Sequence, residues 1–236
     1  MIAKKIPIAA ALMAGMMLLG GCEMMEQKKW TPQEADAISI DEDGVITEII
    51  QETLDQPYYD AAELQSRITS EVADYNAKNG EDAVSVKEME AADGKINLKM
   101  EYASAQDYAS FNNTEFYYGS VINAQLSGYL FDVSYKKVNG GVVQGSSVSG
   151  SEVIKRMDKQ VLILRAPVEV HVPGEVLFTS TNAEVLAADV VNATGESDDK
   201  EDEGLILPSN AVYKAEDDAS FAEMAAANRV YIIFDM

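Results

Sequence analysis

The 236 residues contain a single cysteine, a single histidine and a single tryptophan. One cysteine, Cys22, excludes a disulfide within the chain, so stability must come from buried apolar surface. One histidine, His171, with no cysteine to spare excludes zinc sites and Cys/His catalysis. It stands between Val170 and Val172 on a strand pattern and points away from them, a surface position beside Glu169. Basic residues are scarce: 18 Lys and Arg stand against 40 Asp and Glu, a net charge of −22. Such a chain repels phosphate backbones and shows no basic stripe, which excludes nucleic acid as a partner. It repels anionic headgroups as well, so contact with a membrane is expected through a covalent anchor. Long apolar runs are missing too. The longest, Ile8 to Leu19, has 12 residues, short of the roughly 20 that a spanning helix needs.

Motifs for catalysis and metal binding are equally thin. Asp41-Glu42-Asp43-Gly44 has too few ligands before its glycine for a calcium loop and reads as a plain turn. Gly140, Gly141, Gly145 and Gly150 fall in a Gly/Ser-rich stretch, Asn139 to Gly150, without the lysine and spacing of a phosphate cradle; a flexible loop is expected. Among 40 acids no carboxylate pair stands out. No catalytic residue, metal or cofactor is expected. Apolar residues make up 47% of the chain and charged residues 25%, which is ordinary globular usage, so the chain should fold.

A basic head, Met1 to Pro7, precedes the run Ile8 to Leu19, the layout of a secretory signal peptide. At its end, Leu19-Gly20-Gly21-Cys22 resembles the lipobox of bacterial lipoproteins, with leucine, two small residues and the cysteine in order. The resemblance implies cleavage before Cys22 by signal peptidase II, a diacylglyceryl group on the Cys22 thiol, and a membrane partner held through that lipid on the extracytoplasmic face. Two acyl chains suffice for stable attachment, where one gives marginal binding. Residues 1–21 are then the signal peptide, and 22–37, with Trp30, a lipidated tether able to reach about 50 Å when extended. Residues 38–236 form a single extracytoplasmic domain.

Within that domain, Ile38 to Ile40 and Val45 to Thr47 flank a turn ending at Gly44, and read as a hairpin. Asp60 and Glu63 make a capping box, followed by Leu64, Ile68, Val72 and Tyr75 at helical spacing up to Gly80. Val84 to Glu90 and Ile96 to Tyr102 read as a second hairpin around Asp93-Gly94, and Ser104 to Phe111 and Gly119 to Leu126 as short helices. Gln160 to Arg165, Val168 to Val172, Glu175 to Thr179 and Glu184 to Val191 read as consecutive strands. After an acidic loop, Asp198 to Glu203, come a short helix, Phe221 to Ala227, and Val230 to Phe234, apolar throughout as a strand buried on both faces would be. The expected class is α+β, a mostly antiparallel sheet of hairpins covered by a few amphipathic helices. Val172-Pro173-Gly174-Glu175-Val176 with Ser180-Thr181-Asn182, together with the Gly44 hairpin, resembles a segment of LppM-type surface lipoproteins, which implies a secreted α+β domain.

Tyr108, Phe116, Tyr117 and Tyr118 concentrate aromatic side chains in one region. They offer either core packing or a surface for a sugar or lipid. The expected function is therefore that of a membrane-anchored lipoprotein with a structural or protein-interaction role, the alternative being a small-molecule carrier that uses this cluster. A filled core there would favour the first, a large apolar pocket the second.

The anchor is open to a direct check. In a Triton X-114 partition the full chain should enter the detergent phase and Cys22→Ser should leave it; a serine variant that stays in detergent contradicts the lipobox.

Overall fold

Alternation along one strand fixes how the first sheet faces. In β4 (Lys95–Tyr102), Ile96, Leu98, Met100 and Tyr102 are buried while Lys95 and Asn97 are exposed, the period of two that gives a sheet one apolar face. β4 lies between β2 (Ile46–Thr53) and β3 (Val84–Ala92), antiparallel to both. β1 (Ala37–Ile40) turns back into β2 at Asp41 to Gly44. There the Asp41 carboxylate accepts from the Asp43 and Val45 N–H groups at 3.0 and 2.9 Å, and Gly44 takes the left-handed φ of +82°, which other residues adopt at a cost. β9 (Val168–His171) pairs parallel with β1, and β12 (Val190–Ala193) and β11 (Glu184–Val185) complete the order β11-β12-β9-β1-β2-β4-β3. This computed structural model describes residues 36–53, 60–92, 95–193 and 229–236; residues 32–236 form one compact unit.

The second sheet is apolar on both sides at its central strands. Its order is β5 (Phe116–Ser120), β8 (Gln160–Leu164), β13 (Val230–Asp235), β10 (Glu175–Ser180), β6 (Ser134–Asn139), β7 (Val142–Ser149), every neighbour antiparallel. Leu162, Leu164, Val230, Ile232 and Phe234 pack with the inner face of the first sheet. Val161, Ile163, Tyr231 and Ile233 point the other way, into a second core with Val121, Ala124, Phe131 and Val153. The covering residues come from α3 (Val121–Leu126), α4 (Gly150–Val153) and the segment between α3 and β6. The result is three layers: sheet, sheet, and a thin cover of short helices. Gly150 is where that cover is tightest, since a Cβ at this position would collide with the Phe131 carbonyl oxygen.

α1 (Ala61–Asn79) starts where Asp60 accepts from the Ala62 and Glu63 N–H groups at 2.8 and 3.1 Å and ends at Gly80, whose N–H donates to Asn76 O. Leu64, Ile68, Val72 and Tyr75 pack half-buried against the inter-sheet core, and no residue of the helix is fully buried. It seals a margin of the sandwich. α2 (Ala105–Phe111), capped by Ser104 on the Asp107 N–H, inserts Tyr108 between the sheets.

The α+β class and the antiparallel hairpins hold, and four local readings change. Asn139 to Gly150 is a hairpin turn followed by β7, not a loop; β7 is an edge strand exposed on both faces, so nothing imposes alternation on its sequence. Gly119 and Ser120 belong to β5, and Ser120 then caps α3 by accepting from Asn123 N–H. The strands from Gln160 onward do not pair in succession, because β8 and β10 belong to one sheet and β9 and β12 to the other. Glu184 to Val191 is split into β11 and β12, which pair as a hairpin. The leader, Cys22, Trp30, the Asp93-Gly94 turn, the acidic run from Asp198 and the helix at Phe221 to Ala227 lie outside the described residues.

Candidate functional site

Strand geometry separates the aromatic cluster. On β5, Phe116 and Tyr118 face the inter-sheet core and Tyr117 faces the outer one, as successive residues on a strand must. Phe116 and Tyr108 are buried, at 6% and 3% exposure, with ring centroids 4.5 Å apart. Tyr102 meets the Tyr108 ring edge-on at 4.9 Å, and Phe111 and Tyr75 continue the series outward. Tyr118 lies half-exposed over Phe234, and Tyr117 packs with Tyr129 at 5.0 Å on the opposite side of the sheet. Tyr108, Phe116, Tyr117 and Tyr118 thus do not share one surface.

At the centre of the ring series is a residue that sequence reasoning passed over. β1 and β2 pair Ile38 with Glu48, and β2 and β4 pair Glu48 with Met100. Both partners are core residues, so Glu48 projects from the apolar face of the sheet. Its carboxylate accepts from Tyr102 OH at 2.6 Å and from Tyr108 OH at 3.0 Å. Burial pushes the Glu48 carboxyl above its ordinary pKa; the Tyr102 and Tyr108 hydrogen bonds pull it back, the charge of Asp36 adds to the rise, and Asn112 opposes it. Burial first, and then the neighbouring Glu48 charge, push both phenols far above theirs. Among the described residues no cation pairs with Glu48. One acid held by two phenols joins β2, β4 and α2. The signal was present in the first hairpin: once the turn is set at Asp41 to Gly44, the register carries Ile46, Glu48 and Ile50 to one face.

A second polar cluster ties the margin of the other sheet. Glu115 contacts the Nε atoms of Arg165 and Arg229 at 2.6 and 2.9 Å, and the Arg229 guanidinium lies 5.8 Å from the Tyr129 ring centre. His171 Nε2 lies 2.7 Å from Glu169 Oε1, the neighbour its strand position indicated, but the side chain is half-buried and not a surface group, because β9 is flanked by β1 and β12. Among the described residues no three His, Cys, Asp or Glu side chains converge as metal ligands would. Concave places open to solvent among the described residues include two. One, about 300 Å³, lies between α1 and α2 against Glu71, Asp74, Tyr75, Lys78, Ser110 and Phe111. The other, about 480 Å³, lies against Val172, Pro173, Gly174, Glu175 and Asp189. Neither reaches Tyr108, Phe116 or Glu48.

The Glu48 joint sets a pH dependence with a definite sign. A carboxyl raised in the folded state lends stability that is complete below its unfolded pKa and lost as pH climbs through the folded one. Glu48→Gln should therefore gain stability over the parent in urea unfolding as pH rises above the ordinary carboxylate range, and a difference that does not vary with pH contradicts the assignment. Glu48→Leu should lose about 1–3 kcal/mol for each phenol left without an acceptor. Comparison with family models, with curated proteins and with solved structures returned no match.

Proposed function

We propose that this chain is a lipid-anchored protein of the extracytoplasmic face of a bacterial membrane, whose folded part has a structural or protein-interaction role exercised through its surface. The anchor rests on the likeness of Leu19-Gly20-Gly21-Cys22 to a lipobox. The interaction role rests on one observation: the space between the sheets at the aromatic cluster is filled, with Tyr108 and Phe116 in ring contact at 4.5 Å and both buried. A carrier would need an enclosed volume of roughly 300–1,000 Å³ lined by such rings. With the interior occupied, recognition falls to the exterior, where a net charge of −22 favours cationic partner surfaces and raises their rate of encounter.

A second reading, carriage of a sugar or lipid, draws on the half-buried Tyr117 and Tyr129, whose paired rings give a stacking platform. Native mass spectrometry of residues 32–236, after incubation in cell and growth-medium extracts, separates the two. The interaction role predicts the unliganded mass throughout. A reproducible small-molecule adduct that disappears in Tyr117→Ala overturns it in favour of the carrier.

A further inference from the structure

The cover over the outer face of the second sheet differs in charge from the rest of the chain. From Phe116 to Phe131 no residue is charged, although a quarter of the sequence is. In the other half of the cover, Lys159 lies 3.4 Å from Asp158 and 2.8 Å from Asp235. That leaves Lys155 and Arg156 exposed beside an exposed Met157. Acids concentrate at the Asp41 to Asp43 tip, on α1, and at Glu81 and Asp82, while beside the cover Asp132 and Asp158 are exposed and Glu152 is half-buried, so this side is near neutral in a strongly acidic chain.

Large aliphatic side chains project from this neutral ground. Leu126 is 80% exposed, Leu130 64%, Met157 51% and Ile122 41%. Ile122 and Leu126 are four residues apart on α3 and share its outer face, while Val121 and Ala124 fill the core beneath. Leu130 is fixed past the far end of the helix, where Tyr129 N–H donates to Ala124 O and Tyr231 OH donates to Leu130 O at 2.7 Å. Met157 is brought to the near end, where Val121 N–H donates to Lys159 O at 2.9 Å.

We propose that this face docks on a lipid bilayer: Ile122, Leu126, Leu130 and Met157 enter the headgroup region, and Lys155 and Arg156 meet anionic headgroups. The composition is that of an interfacial surface, aliphatic tips among uncharged Asn123, Gln125 and Ser127 with cations at the border. Protein interfaces centre instead on aromatic anchors, and here Phe131 and Tyr231 are turned inward and packed, while Tyr117 and Tyr129 are half-buried against each other. An anionic bilayer offers the complement to the exposed Lys155 and Arg156. The proposal rests on the anchored reading for its biological setting, since a covalent lipid raises the local membrane concentration enough for a weak surface to engage. The surface itself belongs to the folded unit.

Residues 32–236 hold both cores within one compact unit, so this unlipidated segment tests the surface without the anchor. In flotation with phosphatidylcholine vesicles, with and without phosphatidylglycerol, it should partition onto the anionic vesicles and release as salt rises. Lys155→Gln with Arg156→Gln should lower partition about five-fold per cation, and Leu126→Ser with Leu130→Ser about ten-fold, with Tm unchanged because all four positions are exposed. No partition onto either vesicle, or partition indifferent to both double variants, overturns the proposal. So does a dimer in sedimentation velocity that the double serine variant dissolves, which gives the face to a second copy. Failure of the anchor would show only in detergent partition of the full chain and leaves this result untouched.

Discussion

Burial of the second sheet on both faces is the constraint from which the rest follows. Its central strands, β8 and β13, present Leu162, Leu164, Ile232 and Phe234 to one core and Val161, Ile163, Tyr231 and Ile233 to the other. A sheet with two apolar faces must be covered twice. The first sheet, apolar on one side, supplies one cover and keeps Lys95 and Asn97 in water on the other. The short helices and the segment after α3 supply the second cover, from which Leu126 and Leu130 project. The docking face is in this sense a by-product of how thinly the outer core is roofed.

Because β13 sits between β8 and β10 although both lie far from it in sequence, the second sheet closes only when residues 230–235 are in place. Long-range pairing of this kind costs chain entropy before any burial offsets it. The hairpins β1–β2 and β3–β4 are local by comparison. The Glu48 joint links these two scales, since its carboxylate on β2 holds Tyr102 of β4 and Tyr108 of α2. Burial raises the Glu48 carboxyl, so in that place the protonated form favours the folded state more than the charged one does.

How far the sequence disclosed this depends on what each element faces. α1 was legible from its cap and stripe, β4 from alternation, and β13 from its unbroken apolar run, because in each the environment imposes a period. β7 was illegible for the same reason turned round: exposed on both faces, its sequence answers to no period. Strand identity from Gln160 onward could be read, but the assignment of alternate strands to two sheets is a long-range matter that local pattern does not carry. The aromatic residues were singled out, yet the run Phe116 to Tyr118 hid a strand, and with it the fact that Tyr117 faces away from its neighbours. Glu48 was passed over as one acid among 40; only hairpin register distinguishes it.

The dependence of the whole on a doubly buried second sheet is most directly tested by hydrogen exchange on residues 32–236. The slowest amides should be those of β8 and β13, exchanging only through global unfolding, with β7 and β11 among the fastest. Exchange of Val230 to Phe234 as rapid as that of β7 would contradict the account, placing the C-terminal strand outside the cooperative core.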